Sequence, residues 1–219
     1  MMKTVKKLLV FGLAAMLLLS GCGSNKETVY IEPEKLLPLT EESYIRGSWK
    51  GQEYTNEKLG FTFTMPAGWV ASSDKAMLKE MGIKPSMYKE DEQLLQAVAM
   101  RQIIYDFYIH DRVGAPGVWM LVDNLVQSES GPDIDLQTYA DDHKKVLEEN
   151  SPDTVIEEYT TMTVAGREFL VMPTSPKDGV FQWYLMAKQG DWVYNFVCTF
   201  QGDNGREKTI EFLNSIQAL

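Results

Sequence analysis

The fold is decided by the stretch Leu59-Gly60-Phe61-Thr62-Phe63-Thr64-Met65-Pro66-Ala67-Gly68-Trp69. Its apolar residues alternate with threonines, which is the period of a strand with one buried face. Pro66 and Gly68 are turn residues and end that strand. The stretch therefore predicts a strand at 61–65, a tight turn, and a buried Trp69 behind it.

The rest of the chain reads as hairpins separated by amphipathic helices. The predicted strands are 49–55, 61–65, 103–109, 118–126, 154–164, 168–172, 180–188 and 192–200. The predicted helices begin at Ser73 or Asp74, at Ser86, at Asp135 and at Glu207, where capping residues or helical spacing indicate a start. Because the strands come in hairpins, we expect an α+β fold, a mainly antiparallel sheet sandwiched by helices.

The first 21 residues read as a secretory signal peptide rather than as part of the fold. Lys3, Lys6 and Lys7 give a cationic start, and residues 8–19 are an apolar run. A run of this length is too short to span a membrane, which takes about 20 residues.

The signal ends in Leu19-Ser20-Gly21-Cys22, which resembles the lipobox of bacterial lipoproteins. In that family the chain is cut before the cysteine, whose thiol carries a diacylglyceryl group. The resemblance implies that Cys22 is lipidated and holds the protein on the outer side of a membrane. The alternative is an ordinary cysteine beside a conventional cleavage site.

The remaining chain is strongly acidic. Removal of residues 1–21 takes away three lysines and no acid, so the net charge falls from −10 to −13. Nucleic-acid binding depends on neutralising phosphates, and this charge argues against it. It also argues against an anionic membrane surface as a second contact, and suits a cationic partner or solubility.

One domain follows a short spacer. Residues 22–46 contain Pro33, Pro38 and no sustained period, which predicts a lipidated cysteine followed by an extended tether, although its leucines and Tyr44 favour partial docking. Residues 47–219 are then a single domain. Once Cys22 is lipidated, only Cys198 remains, so no internal disulfide is expected.

The strand and turn at residues 60–69 resemble the G-F-[ST]-[FIV]-x-x-P-x-x-W opening of the Mog1/PsbP-like superfamily. The ending is similar too, with a long hairpin, Phe200-Gln201-Gly202, and a helix that contains Phe212-Leu213-Asn214-Ser215-Ile216. The resemblance covers about residues 49–219 and implies an antiparallel sheet between helices. Its members include a photosystem subunit and a regulator of a nuclear GTPase, with no shared active site, so it implies no functional residue.

The sequence offers only weak candidates for a catalytic site or a metal-binding site. Cys198 would be a nucleophile beside His110 or His143, yet it alternates with aromatic residues and is predicted to be a buried apolar group. Asp106 and His110 lie four apart on a strand, hence on one face, and with the acids at 141 and 142 a metal site can be drawn. His143 falls on an apolar helix stripe, which favours the core margin, and Glu148, Glu149, Glu157 and Glu158 read as solvated acids. We therefore expect no catalytic residue, no metal and no cofactor.

The aromatic residues offer a further possibility. Trp119, Trp183 and Trp192 lie on central strands, where core packing is the ordinary role and a groove for a peptide, glycan or lipid is the alternative. The leading hypothesis is a non-enzymatic, lipid-anchored extracytoplasmic domain that binds an envelope protein or small ligand. A hydrolase acting on envelope material and an accessory lipoprotein of a transporter or sensor are the competing hypotheses.

Overall fold

The computed structural model describes residues 31–176 and 179–219, so the signal peptide and Cys22 lie outside the described residues. The strands are β1 Ser48–Lys50, β2 Glu53–Asn56, β3 Phe61–Thr64, β4 Trp69–Ala71, β5 Ile103–Asp111, β6 Gly117–Asn124, β7 Thr154–Ile156, β8 Thr160–Val164, β9 Arg167–Pro176, β10 Val180–Gln189, β11 Trp192–Gln201 and β12 Gln217–Ala218. The helices are α1 Asp74–Glu80, α2 Asp91–Ala99, α3 Leu136–Asn150 and α4 Gly202–Ser215.

These strands form two antiparallel sheets. The small sheet has the order β1-β2-β3-β12, and the large sheet has the order β4-β5-β6-β11-β10-β9, with β7 and β8 both paired to β9. The predicted α+β class with antiparallel pairing and helices is confirmed. The sequence predicted neither the division into two sheets nor the short strand β12, which pairs with β3 across most of the chain length.

Several predicted elements are divided or shifted. The strand predicted at 49–55 is two strands, because Gly51 turns the chain with a φ of +65°. The segment 154–164 is likewise split into β7 and β8. The second helix begins at Asp91 rather than Ser86, after a 3₁₀ turn at Pro85–Met87, and the last helix begins at Gly202 rather than Glu207.

One face of the large sheet, here the front face, carries Phe107 and Phe196. The small sheet packs on it through Tyr54 and Phe63, whose rings lie 4.9 and 5.2 Å from that of Phe107. Helix α4 closes the cluster, since the Phe212 ring lies 5.0 Å from that of Phe63. Phe61, Phe63 and Trp69 are buried, as predicted, and this aromatic cluster is the main core.

The opposite face, here the back face, is covered by α3. The hydroxyl of Tyr139 donates to Asp123 Oδ2 at 3.0 Å, and the Asn195 amide donates to the same hydroxyl at 3.4 Å. Asp135 caps this helix through the Thr138 N–H, as predicted. The large sheet therefore lies between α3 on one side and the small sheet with α4 on the other.

Candidate functional site

The front face is left open over β8, β9 and β10, where a groove of about 550 Å³ lies beside the start of α4. Its floor is formed by side chains of the sheet, and its wall by the first turns of the helix. The groove is lined by residues that include Met162, Phe181, Trp183, Phe200, Arg206 and Glu157. A cavity of this size is in the range that small ligands occupy in proteins.

Strand register places the aromatic floor. Phe181 pairs with Phe200 and Trp183 pairs with Cys198 across β10 and β11, so these side chains share the front face. The Phe181 and Phe200 rings stack with centroids 5.7 Å apart, and Trp183 meets Phe200 edge-on at 5.0 Å. Phe200 is buried, whereas Phe181 and Trp183 stay partly exposed to the groove. The floor therefore leaves part of its aromatic surface open to the groove.

The wall of the groove depends on where α4 begins. Gly202 turns the chain with a φ of +61°, and a Cβ on Gly205 would lie 3.3 Å from Phe200 Cβ, so the helix rests directly on the end of β11. This placement brings the guanidinium of Arg206 to 5.3 Å from the centre of the Trp183 ring. Such a cation over an indole ring is an attractive contact.

The rim of the groove is polar. Asp203 lies in the first turn of α4, and the hydroxyl residues Thr160 and Thr161 lie on β8. Glu157 lies on the same rim and accepts a hydrogen bond from the Ser175 hydroxyl. An aromatic floor bordered by one cation, two acids and hydroxyls can hold a ligand with an apolar body and hydrogen-bonding groups.

Cys198 lies beneath this floor. Its side chain is fully buried next to the aromatic residues of the front face, and burial raises the pKa of the thiol well above its usual range. The prediction of a small buried apolar group is confirmed. A neutral thiol without access to solvent is a poor nucleophile.

The prediction that Asp106 and His110 share one strand face is wrong. The register of β5 against β6 shifts between Tyr105 and Phe107, so Asp106 is the extra residue of a β-bulge. The bulge turns its carboxyl toward the small sheet, while His110 stays on the back face and stacks on Tyr108 at 5.0 Å. The carboxyl and the imidazole are therefore separated by the sheet and form no metal site.

The buried carboxyl of Asp106 is instead a structural junction. It accepts hydrogen bonds from the Gly47 N–H at 3.0 Å, from the Asn56 amide at 2.9 Å and from the Tyr54 hydroxyl. Arg46 donates to its backbone carbonyl at 2.7 Å. Desolvation raises the pKa of this carboxyl, opposed by the Tyr54 hydrogen bond and the Arg46 charge.

His143 is a core-margin residue, as its place on the helix stripe predicted. It is buried against Tyr139, with ring centroids 4.5 Å apart, and burial lowers its pKa to about 4. The acids 148, 149, 157 and 158 are exposed, as predicted. Within the part of the chain that the structure describes, no group of three or more His, Cys, Asp or Glu side chains could hold a metal ion.

The tryptophans of the central strands fill both predicted roles, packing against other side chains and lining a groove. Trp119 lies on the back face and stacks on Tyr108 at 4.1 Å, and Trp192 packs against Tyr44 at 5.6 Å. Trp183 lines the groove. Sequence reasoning named Trp183 as a candidate but missed Arg206 and Glu157, because the helix was predicted to start after Arg206 and Glu157 read as an ordinary solvated acid.

Comparison with solved structures gives a distant likeness. Among solved structures, the chain is similar to cyanobacterial PsbP (CyanoP) from Synechocystis sp. PCC 6803, over 79% of this chain and 98% of that one. The two share 12% sequence identity, with a TM-score of 0.46. That protein bears the name of the superfamily that the sequence resembles, and no residue role follows from the likeness.

Two further comparisons add no family. No family model matches the chain, and no curated protein matches its sequence. Among the described residues, none of the helices combines the length and the apolar character that a membrane span needs.

Proposed function

We propose that this chain is a lipid-anchored extracytoplasmic domain that binds, without catalysing a reaction, a ligand with an apolar or aromatic portion in the groove beside α4. The observation that carries the binding role is the partly exposed aromatic floor of Phe181 and Trp183, placed under Arg206. Exposure of aromatic surface to water is unfavourable in free energy. Such surface gathered in a concave site is typical of binding grooves.

The anchor is supported by the sequence alone. Cys22 follows small residues at the end of a cationic and apolar leader, and a diacylglyceryl group holds a protein at a membrane more stably than one acyl chain does. In the producing cell, we expect Cys22→Ala to move the protein from the membrane fraction to the soluble fraction. Persistent membrane association of this variant would contradict the anchor.

The groove is tested on protein purified from its own membranes in mild detergent. Native mass spectrometry of the wild type is expected to show a bound molecule that is missing from Trp183→Ala. The matched control is Trp119→Ala, which removes the same side chain from the back face and should keep the bound molecule. If all three samples show the same bound species, or none does, the groove is not the binding site.

A further inference from the structure

The first described residues of the chain are packed against the domain. The Tyr88 hydroxyl donates to the carbonyl of Ile31 at 3.0 Å, and the backbone N–H of Leu37 donates to the Met100 sulfur at 3.3 Å. Tyr44 is fully buried, and Gly47 is bound to Asp106. The part of the predicted tether that the structure describes is therefore docked.

This docking limits how far the domain can stand from an anchor on Cys22. Nine residue steps separate Cys22 from Ile31, and even a fully extended chain of that length reaches only roughly 30 Å. A domain of this size has a radius of gyration of about 16 Å, hence a diameter of roughly 40 Å. The side of the domain opposite Ile31 then cannot rest on the bilayer surface.

The docked segment itself contributes to an apolar surface, here the basal patch, formed by Leu37, Leu39, Met100, Val126 and Trp192. These residues line a shallow groove of about 230 Å³ between the docked segment, the end of α2 and the 3₁₀ turn Leu125–Gln127. Leu37 is 59% exposed and Val126 57% exposed. Leu37 and Val126 therefore present apolar side chains to the surroundings at the same place.

The basal patch and the ligand groove lie at opposite ends of the large sheet. Trp192, in the basal patch, is the first residue of β11, and Phe200, in the ligand groove, is next to its last. Eight residue steps along a strand span roughly 26 Å. A domain standing on the basal patch would hold the ligand groove on the side away from the membrane.

We propose that the basal patch rests on the outer surface of the lipid bilayer and fixes the orientation of the domain. This inference depends on the proposed anchor at Cys22, since a patch this small binds a membrane weakly by itself. A lipid anchor changes that balance, because it makes the contact intramolecular and raises the effective concentration of the patch at the surface. Glu42 and Asp191 lie at the margin of the patch, where they stay hydrated among the headgroups.

The test uses the full lipidated protein in phosphatidylcholine vesicles that carry nitroxide-labelled headgroups. A bimane label is placed at Val126→Cys or, as the control, at Val155→Cys, which is 60% exposed on β7 near the groove rim. Cys198 is fully buried, so the label goes to the introduced thiol. Side chains seated at the interface enter about 5–10 Å, so we expect at least about twofold quenching at 126 and almost none at 155.

A second substitution checks that the apolar surface is responsible. In the Val126→Cys background, Leu37→Glu puts a charge into the basal patch and should reduce the quenching toward the level at 155. Equal quenching at positions 126 and 155, or no effect of Leu37→Glu, would overturn the proposal.

Two other results would point elsewhere. Quenching at 126 in native membranes supplied with the same nitroxide-labelled lipid, but not in pure lipid vesicles, would overturn the lipid contact in favour of a membrane protein on the patch. The anchor is judged separately, by flotation of the same preparation with vesicles. Loss of flotation refutes the anchor itself, whereas flotation without selective quenching refutes only the orientation.

Discussion

The front face of the large sheet is closed over β5 and β6 but open over β8, β9 and β10. In the closed half, the rings of Phe107 and Phe196 are covered by the small sheet and α4. In the open half, Phe181 and Trp183 belong to the same kind of alternating strand, yet they line a groove. The same strand pattern thus serves the core in one place and a surface in the other, and only the covering elements separate the two roles.

The largest expected effect comes from a tryptophan of the closed half. Trp69→Ala removes a buried ring that lies 5.7 Å from Phe212, and such truncations cost about 3–5 kcal/mol of unfolding free energy. Urea unfolding followed by circular dichroism measures the loss. An unchanged midpoint would place Trp69 outside the core and remove the contrast between the two halves.

Asp106→Ala should be the next most damaging change. It leaves the Gly47 N–H, the Asn56 amide and the Tyr54 hydroxyl without their buried acceptor, which we expect to cost about 3 kcal/mol. The same change should loosen the docked segment, seen as faster amide hydrogen exchange at residues 44–47. Normal protection there would show that the segment is held by other contacts.

The buried carboxyl under α3 predicts a pH dependence of stability. Burial raises the pKa of Asp123 to about 6, and only the Tyr139 hydroxyl donates to it among the described residues. Since the folded state favours the protonated acid, the contribution of Asp123 to stability is fully present below pH about 4 and is lost as the pH rises through about 6. The shift corresponds to about 3 kcal/mol.

Asp123→Asn isolates this contribution, because the amide is neutral at every pH. We expect the variant to lose the fall in stability between pH 4 and 6 and to be more stable than the wild type at pH 8. Thermal unfolding in a pH series measures both. If the stability of the variant falls with pH as steeply as that of the wild type, another group causes the pH dependence.

The smallest effect on stability is expected in the open half. Trp183→Ala removes a partly exposed ring, so the free energy of unfolding should change by only about 1 kcal/mol. If Trp183→Ala lowers the free energy of unfolding as much as Trp69→Ala does, the open half is packed like the core, which argues against its role in binding. The two variants form a matched pair, since the same side chain is removed from each half.

Local patterns in the sequence were enough for much of the fold. The alternation at 61–65 predicted the buried faces of Phe61 and Phe63, and Asp135 predicted the start of α3. The prediction for Asp106 and His110 was wrong because one extra residue in β5 reverses the alternation, and nothing in the local sequence marks that bulge.

The groove could be predicted only in part. The alternation along β10 predicted that Phe181 and Trp183 lie on the same face of the sheet. Whether a helix covers that face depends on the path of α4. That helix has no side-chain cap at Gln201, so its start could not be seen and Arg206 was left outside it. The docked segment was equally hidden, since the partner of Gly47 lies about 60 residues away in the bulge.

The central claim is that the open half binds a ligand and the closed half does not. It is tested most directly by titrating the protein with anilinonaphthalene sulfonate, an anionic aromatic probe suited to Arg206 and the aromatic floor. We predict saturable binding to one site in the wild type and in Trp119→Ala, weakened at least about tenfold in Trp183→Ala, which corresponds to about 1.4 kcal/mol. Equal binding by all three folded proteins would contradict the claim.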